Sequence, residues 1–422
     1  RRQRQMCIRD RSYLEQSTRY ISYDSRFGGR YRYYRDPEIM DSSFGARYIG
    51  DMDRIFDTYA HLVPQMQDFV RDQFPKHPDD GDFVYRQAVK AKAFDALRGL
   101  LPAASLSNVG IYGTGQAYEA LLLRMRSHPL PESRYYADLM LRELRKVIPS
   151  FLERVDREDR GVVWSEYLQE TREDTADVVA ALFPEGSIVD PSPTVRLVDF
   201  DPEGEVKMIA SMMYPHSTMS EDQLERRVAG MNHEDRMAVA RAYVGDRRNR
   251  RHKPGRALER PFYRFDVLVD YGAFRDLQRH RMLSMDWQNL SPHHGYISSP
   301  LVNAAGMGAV YEEAMERSAA LYDLLVDDFP DQASYAINLA YKIRFNMNIN
   351  ARSAMHLIEL RTTPQGHPSY REVGQEMHRL IAEEAGHTVI SEMMKFVDHT
   401  DETDLERLQS ERRAQEKRQS TK

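Results

Sequence analysis

Residues 348–361 read NINARSAMHLIELR, and the second half of the chain is understood outward from this stretch. Ile349, Met355, Leu357, Ile358 and Leu360 give a helix over 351–359 that is apolar on most sides. Asn350, His356 and Arg361 recur near helical spacing, with Arg352 beside them. A polar stripe on an amphipathic helix has the same spacing. A helix apolar on most sides is instead largely buried, and buried arginines need partners. Upstream, QRHRMLS (278–284) holds Arg279, His280, Arg281 and Ser284 on what reads as a helix. Three adjacent basic residues ordinarily form a solvated face. Here they follow FDVLVDYGAF (265–274), an apolar and aromatic segment with the pattern of a core strand. Guanidinium groups held there can bind phosphates or the polar edge of a ring with paired hydrogen bonds. A third string, SYLEQSTRYISYD (12–24), carries Ser12, Glu15, Gln16, Ser17, Arg19 and Tyr20. Alone it reads equally as a polar loop before a strand.

Around these strings the periodicity predicts helices over 52–74, 85–101, 115–126, 135–155, 206–214, 221–231, 309–329, 333–344, 351–359 and 370–396. Strands are predicted over 195–200 (VRLVDF) and 261–269 (PFYRFDVLV), with helical pattern from Ala273 onward. The proline-bearing GSIVDPSP (186–193) reads as a linker, and 401–422 as a charged tail.

The 422 residues suffice for two or three domains, and their composition is that of a globular chain. A net charge of -6 does not suggest a nucleic-acid binder. No apolar run is long enough to span a bilayer, so no membrane partner is expected. Cys7 is the only cysteine, which excludes an intrachain disulfide and a cysteine metal cluster; no metal is expected, and a cytoplasmic location fits. Residues 1–11 (RRQRQMCIRDR) resemble a translated sequencing adapter and are expected to be a non-native tail, with the natural N-terminus missing.

A repeat is visible. Phe74-Pro75 closes a long helix in the first half, and Phe329-Pro330 does so in the second. LLLRMRSHPLPESRYY (121–136) runs parallel to HLIELRTTPQGHPSYR (356–371), matching Arg126 with Arg361 and Pro129 with Pro364.

Together the three strings resemble the flavin-dependent thymidylate synthase (ThyX) family. Its first signature is Arg-His-Arg, then a serine, and later Ser-any-Arg-Tyr. The second half carries its start at Arg279-His280-Arg281 and Ser284, and the first half its end at Ser12 and Glu15 to Tyr20. The family's C-terminal signature stands whole at Asn350, Arg352, His356 and Arg361. The resemblance implies an α+β fold of two tandem copies, each a small antiparallel or mixed sheet packed with long helices. Copy one spans 12–185, truncated at its N-terminus with an open sheet edge, and copy two spans 194–400.

Departures are visible. Ser291 to Tyr296 (SPHHGY) replaces the Ser-any-Arg-Tyr element in copy two, Ser334 stands where copy one has the Leu-Pro arginine Arg98, and copy one has GTGQA (113–117) opposite Asn350-Ala351-Arg352. Arg260 and Asp276 replace a usual histidine and glutamine.

The resemblance implies FAD-dependent methylation of dUMP to dTMP, with methylenetetrahydrofolate and NADPH as co-substrates and no cysteine nucleophile. Glu15, Gln16, Ser17, Arg19, Arg98, Arg279 and Arg361 would bind substrate, with Arg361 catalytic through polarisation of the uracil ring. Arg279, His280, Arg281, Asn350, Arg352 and His356 would hold FAD. The active sites would be shared between copies, and a homodimer would rebuild the family's tetramer. A non-catalytic or differently specific flavoprotein, and a purely structural assembly, are the competing expectations.

Overall fold

In the computed structural model, residues 11–16, 21–78, 80–183, 193–400, 405 and 408 are described. The predicted tail, linker and C-terminal tail lie outside them, apart from Arg11, Pro193, Leu405 and Leu408.

Six strands are present among the described residues: β1 (Arg11–Glu15), β2 (Val109–Gly113), β3 (Val195–Phe200), β4 (Phe262–Asp270), β5 (Leu283–Trp287) and β6 (Lys342–Asn350). The last four form an antiparallel sheet in the order β3-β4-β6-β5. Its pattern follows from alternation: Tyr263, Phe265, Val267 and Val269 on β4, and Ile343, Phe345, Met347 and Ile349 on β6, are all buried. The register runs from Phe262 opposite Asn350 to Asp270 opposite Lys342, so a one-residue slip would expose all eight. Tyr370, Val373, Met377, Leu380 and Ile381 form the buried face of helix Pro368–Glu383, which packs on β3 and β4.

The expected α+β class holds. Strand 195–200 is found as predicted, and 261–269 is shifted by one residue. The helix predicted over 333–344 is not formed. Only a 3-10 turn, Gln332–Ala336, precedes β6, because Tyr335, Ile337, Leu339 and Ala340 hydrogen-bond to the first half instead of continuing a helical ladder. The run predicted over 370–396 is split into Pro368–Glu383 and Thr388–Glu392 at Gly386, whose φ of 68° ends helical geometry. Helices Val163–Leu182 and His233–Val244 were not anticipated.

In the first half the sheet is a two-stranded antiparallel pair, β1 with β2. The long helix Gly45–Gln73 turns Tyr48, Met52, Phe56, Tyr59, Val63 and Met66 inward and packs on Gly308–Leu325 of the second half. One apolar core therefore runs from Tyr23 to Leu408, with a small satellite around Leu122, Leu141 and Leu152.

The halves meet through a reciprocal contact. The alignment that sets Ser334 opposite Arg98 also sets Asn338 opposite Pro102, and these two residues form a β-bridge with each other. The Ala103 amide donates to the Ile337 carbonyl at 2.8 Å, and the equivalent Leu339 amide donates to Leu101 at 2.9 Å. Ala104 donates to Tyr335 at 3.2 Å, and the equivalent Ala340 to Gly99 at 3.0 Å. Exchange of each bond for its counterpart is what a two-fold axis produces. The repeat also recurs locally. Thr114 caps helix Gly115–Arg126 after β2, and Asn350 caps helix Ala351–Arg361 after β6.

Candidate functional site

The end of the sheet where β6 finishes and β5 begins builds the site. Asn350 leaves β6 in extended backbone, and its side chain accepts from the Ser353 amide at 2.9 Å, starting helix Ala351–Arg361. Across the ladder Leu283 faces Ile349, so the connector before β5 lies beside this cap. The connector is Gln278 to Met282. The basic triplet expected on a helix stands here, just past helix Tyr271–Leu277, which is capped by Asp270.

Between connector and helix is a cavity of about 430 Å³. Arg279, His280, Arg281, Asn350, Arg352, His356 and Arg361 all line it, so every residue expected to hold the cofactor is brought to one place. Met282, Leu283, Ile349, Met355 and Leu360 supply apolar wall. A loop closes the other side with Arg247, Arg250, His252, Lys253 and Pro254. This loop was not anticipated, although RRNRRHK (247–253) is a visible basic run. Glu259 is the only carboxylate among the lining residues.

Arg361 is the most constrained of these groups. Its Nε donates to His280 Nε2 at 2.9 Å, its Nη2 to the Asp276 carbonyl, and its Nη1 lies 3.5 Å from the Asp276 carboxylate. Its guanidinium also stacks 5.2 Å from the Tyr370 ring. Arginine has only donors, so His280 presents a lone pair at Nε2 and carries its proton on Nδ1. Burial, then the Arg361 charge and His356, push the His280 pKa down to about 3, which keeps the ring neutral. The His356 ring lies edge-on to it at 5.7 Å, and its pKa is also lowered, first by burial and then by Lys253 and Arg250. Arg352 donates to the Pro254 carbonyl and to Glu259, both at 2.9 Å, and Arg281 stacks 5.5 Å from the Tyr13 ring.

The loop is held from beneath. Arg247 and Glu359 form a buried bidentate pair at 2.7 and 2.5 Å, with side chains 3% and 1% exposed. Arg247 also donates to the His252 carbonyl at 2.9 Å and the Arg250 carbonyl at 3.3 Å.

The first half reaches this region within the same chain. Glu15 accepts from Arg275 and, at 2.8 Å, from Arg279. Arg98 is 4% exposed and lies 3.6 Å from Asp276 and 3.9 Å from Asp270; it does not line the cavity. Gln16 is tied to Ser107 and Asn108 and does not line the cavity. Ser17 and Arg19 lie outside the described residues. Burial holds the Asp270 carboxyl above its usual range. Among the described residues no group of three or more His, Cys, Asp or Glu is arranged to hold a metal ion, and no helix is long and apolar enough to cross a membrane.

Comparison with known proteins adds the lineage. The family model described as thymidylate synthase complementing protein matches residues 4–150 and 196–386. The UPF0159 protein of Chlamydia pneumoniae is 39% identical over 402 residues, covering 95% of this chain and 75% of that one. The UPF0159 protein of Thermoplasma acidophilum is 30% identical over 430 residues, covering 95% and 82%. Among solved structures, the UMP/dUMP methylase PolB of Streptomyces cacaoi bound with 5-Br dUMP is 18% identical, covers 47% of this chain and 94% of that one, and has a TM-score of 0.36. Thymidylate synthase X of Helicobacter pylori with FAD and dUMP is 19% identical over 48% and 98%, with a TM-score of 0.34. The matched segments cover most of the chain, one in each half, and the chain belongs to the thymidylate synthase complementing protein (ThyX) family, whose pattern it carries in tandem.

Proposed function

We propose that the cavity binds FAD and that the protein methylates dUMP to dTMP, with methylenetetrahydrofolate as one-carbon donor and NADPH as reductant. The observation that carries this reading is the convergence of Arg279, His280, Arg281, Asn350, Arg352, His356 and Arg361 on one cavity, from separate stretches of a chain of this family. The donor set fits the cofactor. A flat ring system suits the Met282, Leu283, Ile349 and Leu360 wall, and a diphosphate suits the Arg250 and Lys253 loop. When bound and reduced by NADPH, the flavin would supply the hydride that completes the methyl group.

The chain's own residues would do the rest by binding and electrostatics. Arg361 would donate to a carbonyl of the uracil ring, stabilising negative charge as it develops there. Neutral His280 orients Arg361 by accepting from Nε, and it adds no competing positive charge. Glu15, from the first half, holds Arg279 and Arg275, so copy one would complete the site within the same chain. Ser17 and Arg19 would take the substrate phosphate. The unit of function would be a cytoplasmic homodimer, with copies at 12–185 and 194–400.

One observation favours a second reading, a flavoprotein without methyl transfer. Arg98, expected on the nucleotide, is buried against Asp270 and Asp276. The test is visible absorption of the purified protein with FAD, followed by dUMP. A flavin band perturbed by dUMP, and dUMP-dependent oxidation of the reduced flavin, are expected. Arg361→Lys should keep the flavin and lower turnover about a hundredfold. Protein that ignores added FAD would sink both readings, and flavin binding without any dUMP response would leave the second.

A further inference from the structure

Three guanidinium groups converge on Asp276. Arg98 Nη1 lies 3.6 Å from Oδ2, while Arg279 Nη1 at 3.3 Å and Arg361 Nη1 at 3.5 Å face Oδ1. The two oxygens are thus divided: one meets the first half's buried arginine, the other meets both arginines of the cavity wall. The Asp276 and Arg361 side chains are each 13% exposed, and Arg98 is 5% exposed. Little water is present to screen charge at such positions, so a single carboxylate weighs heavily. The surrounding balance is close. Behind the wall, the cluster of Arg98, Arg275, Arg279 and Arg361 meets Glu15, Asp270 and Asp276, which leaves about one net positive charge within the cluster.

We infer that Asp276 is a positioning and specificity-determining residue. With one oxygen anchored by Arg98, it fixes Arg361 and Arg279 at the wall with the other. It also cancels the charge that would make the wall an anion site. The wall therefore accepts a neutral ring edge bearing hydrogen-bond acceptors and refuses a phosphate. A carbonyl oxygen needs only donors, whereas an anion needs the net positive charge that Asp276 cancels. This concerns the charge of one wall, so it stands or falls separately from the function proposed above.

Inorganic pyrophosphate is the probe, with affinity measured by calorimetry at two ionic strengths on the full chain. Asp276→Asn should bind it about tenfold tighter than the unaltered protein, with a steeper loss on adding salt. Asp276→Glu should restore the weak binding. The double variant Arg98→Met/Asp276→Asn removes one charge of each sign and should restore it too. The gain should persist beside Lys253→Ala, which removes a cation of the loop wall. The inference is overturned if Asp276→Asn binds pyrophosphate within about twofold of the unaltered protein. It is also overturned if the gain disappears with Lys253→Ala. Should Asp276→Asn alone not fold, Asp276→Gln removes the same charge and is read by the same criteria: a gain of about tenfold supports the inference, and affinity within about twofold of the unaltered protein overturns it.

Discussion

His280 accepts from Arg361 with a lone pair that exists only while the ring is neutral, so its proton affinity is a stability statement as well as a site property. Its folded pKa of about 3 lies below the ordinary 6.5 of an unfolded chain. Between those values the unfolded form binds a proton that the folded form does not. The contribution is therefore complete above about pH 6.5 and is lost as pH falls from there toward 3. The slope is at most about 1.4 kcal/mol per pH unit for one group, or about 2 kcal/mol by pH 5. His280→Gln keeps a hydrogen-bonding side chain without the titration. Its urea-unfolding stability should fall less between pH 7 and pH 5 than that of the unaltered protein by about that amount. Parallel losses in the two proteins would show that His280 is not the group concerned. At this scale the sequence exposed residue types but not their states. Arg279, His280 and Arg361 were legible as a set from their motif spacing. Arg250 and Lys253 are visible in the RRNRRHK run, but a basic run alone has the pattern of a solvated loop. That Arg98 is buried on Asp270 and Asp276 was not legible, because it depends on how the two halves meet.

Elements differ in how far local pattern determines them. VRLVDF has one alternating reading and forms β3 as expected. Residues 333–344 mix Ala, Tyr, Ile and Leu at spacings that suit a helix or a strand, and a short run of this kind is not separable by periodicity. The Ala103 and Ala104 amides, which donate to it, and the Gly99 and Leu101 carbonyls, which accept from it, decide it in favour of extended backbone. The basic loop is another element shaped by a distant partner, through the buried pair of Arg247 and Glu359. Arg247→Met leaves the Glu359 carboxylate buried and unpaired, which costs about 3–5 kcal/mol. It also frees the carbonyls of Arg250 and His252. The melting temperature should drop sharply, and amide exchange should quicken in 247–254 while the sheet stays protected. Arg247→Met/Glu359→Gln removes both charges and should recover most of the stability. If the single and double variants melt alike, the pair is not what holds the loop.

For the whole molecule, the question is whether the halves are two bodies in contact or one body with an internal axis. Landmarks such as Phe74-Pro75 and Phe329-Pro330 suggested duplication, but low identity could not say how the copies face each other. The reciprocal bonds around Pro102 and Asn338 answer that, and they place Gly99 against Ala340 and Tyr311 of the second half. A Cβ added at Gly99 would stand 2.2 Å from the Tyr311 hydroxyl and 2.9 Å from the Ala340 Cβ. Tyr311 and Ala340 are both 2% exposed, so neither can swing into solvent. Gly99→Ala should therefore destabilise by about 1–3 kcal/mol, the usual cost of overpacking a dense interior. Tyr311→Phe removes the nearest atom, and the next on that ring lies at 3.5 Å, an ordinary contact. The double variant should recover part of the loss, giving a coupling energy of about 1 kcal/mol in a double-mutant cycle. Because Arg98 adjoins Gly99, the same strain should reach Asp276 and weaken ligand binding in the cavity in step with the stability change. Strictly additive costs, with ligand affinity unmoved, would mean that the seam between the halves yields without disturbing the site. Coupled costs would mean that the seam and the cavity form one packed unit, in which the first half serves the site through Arg98 as well as through Glu15.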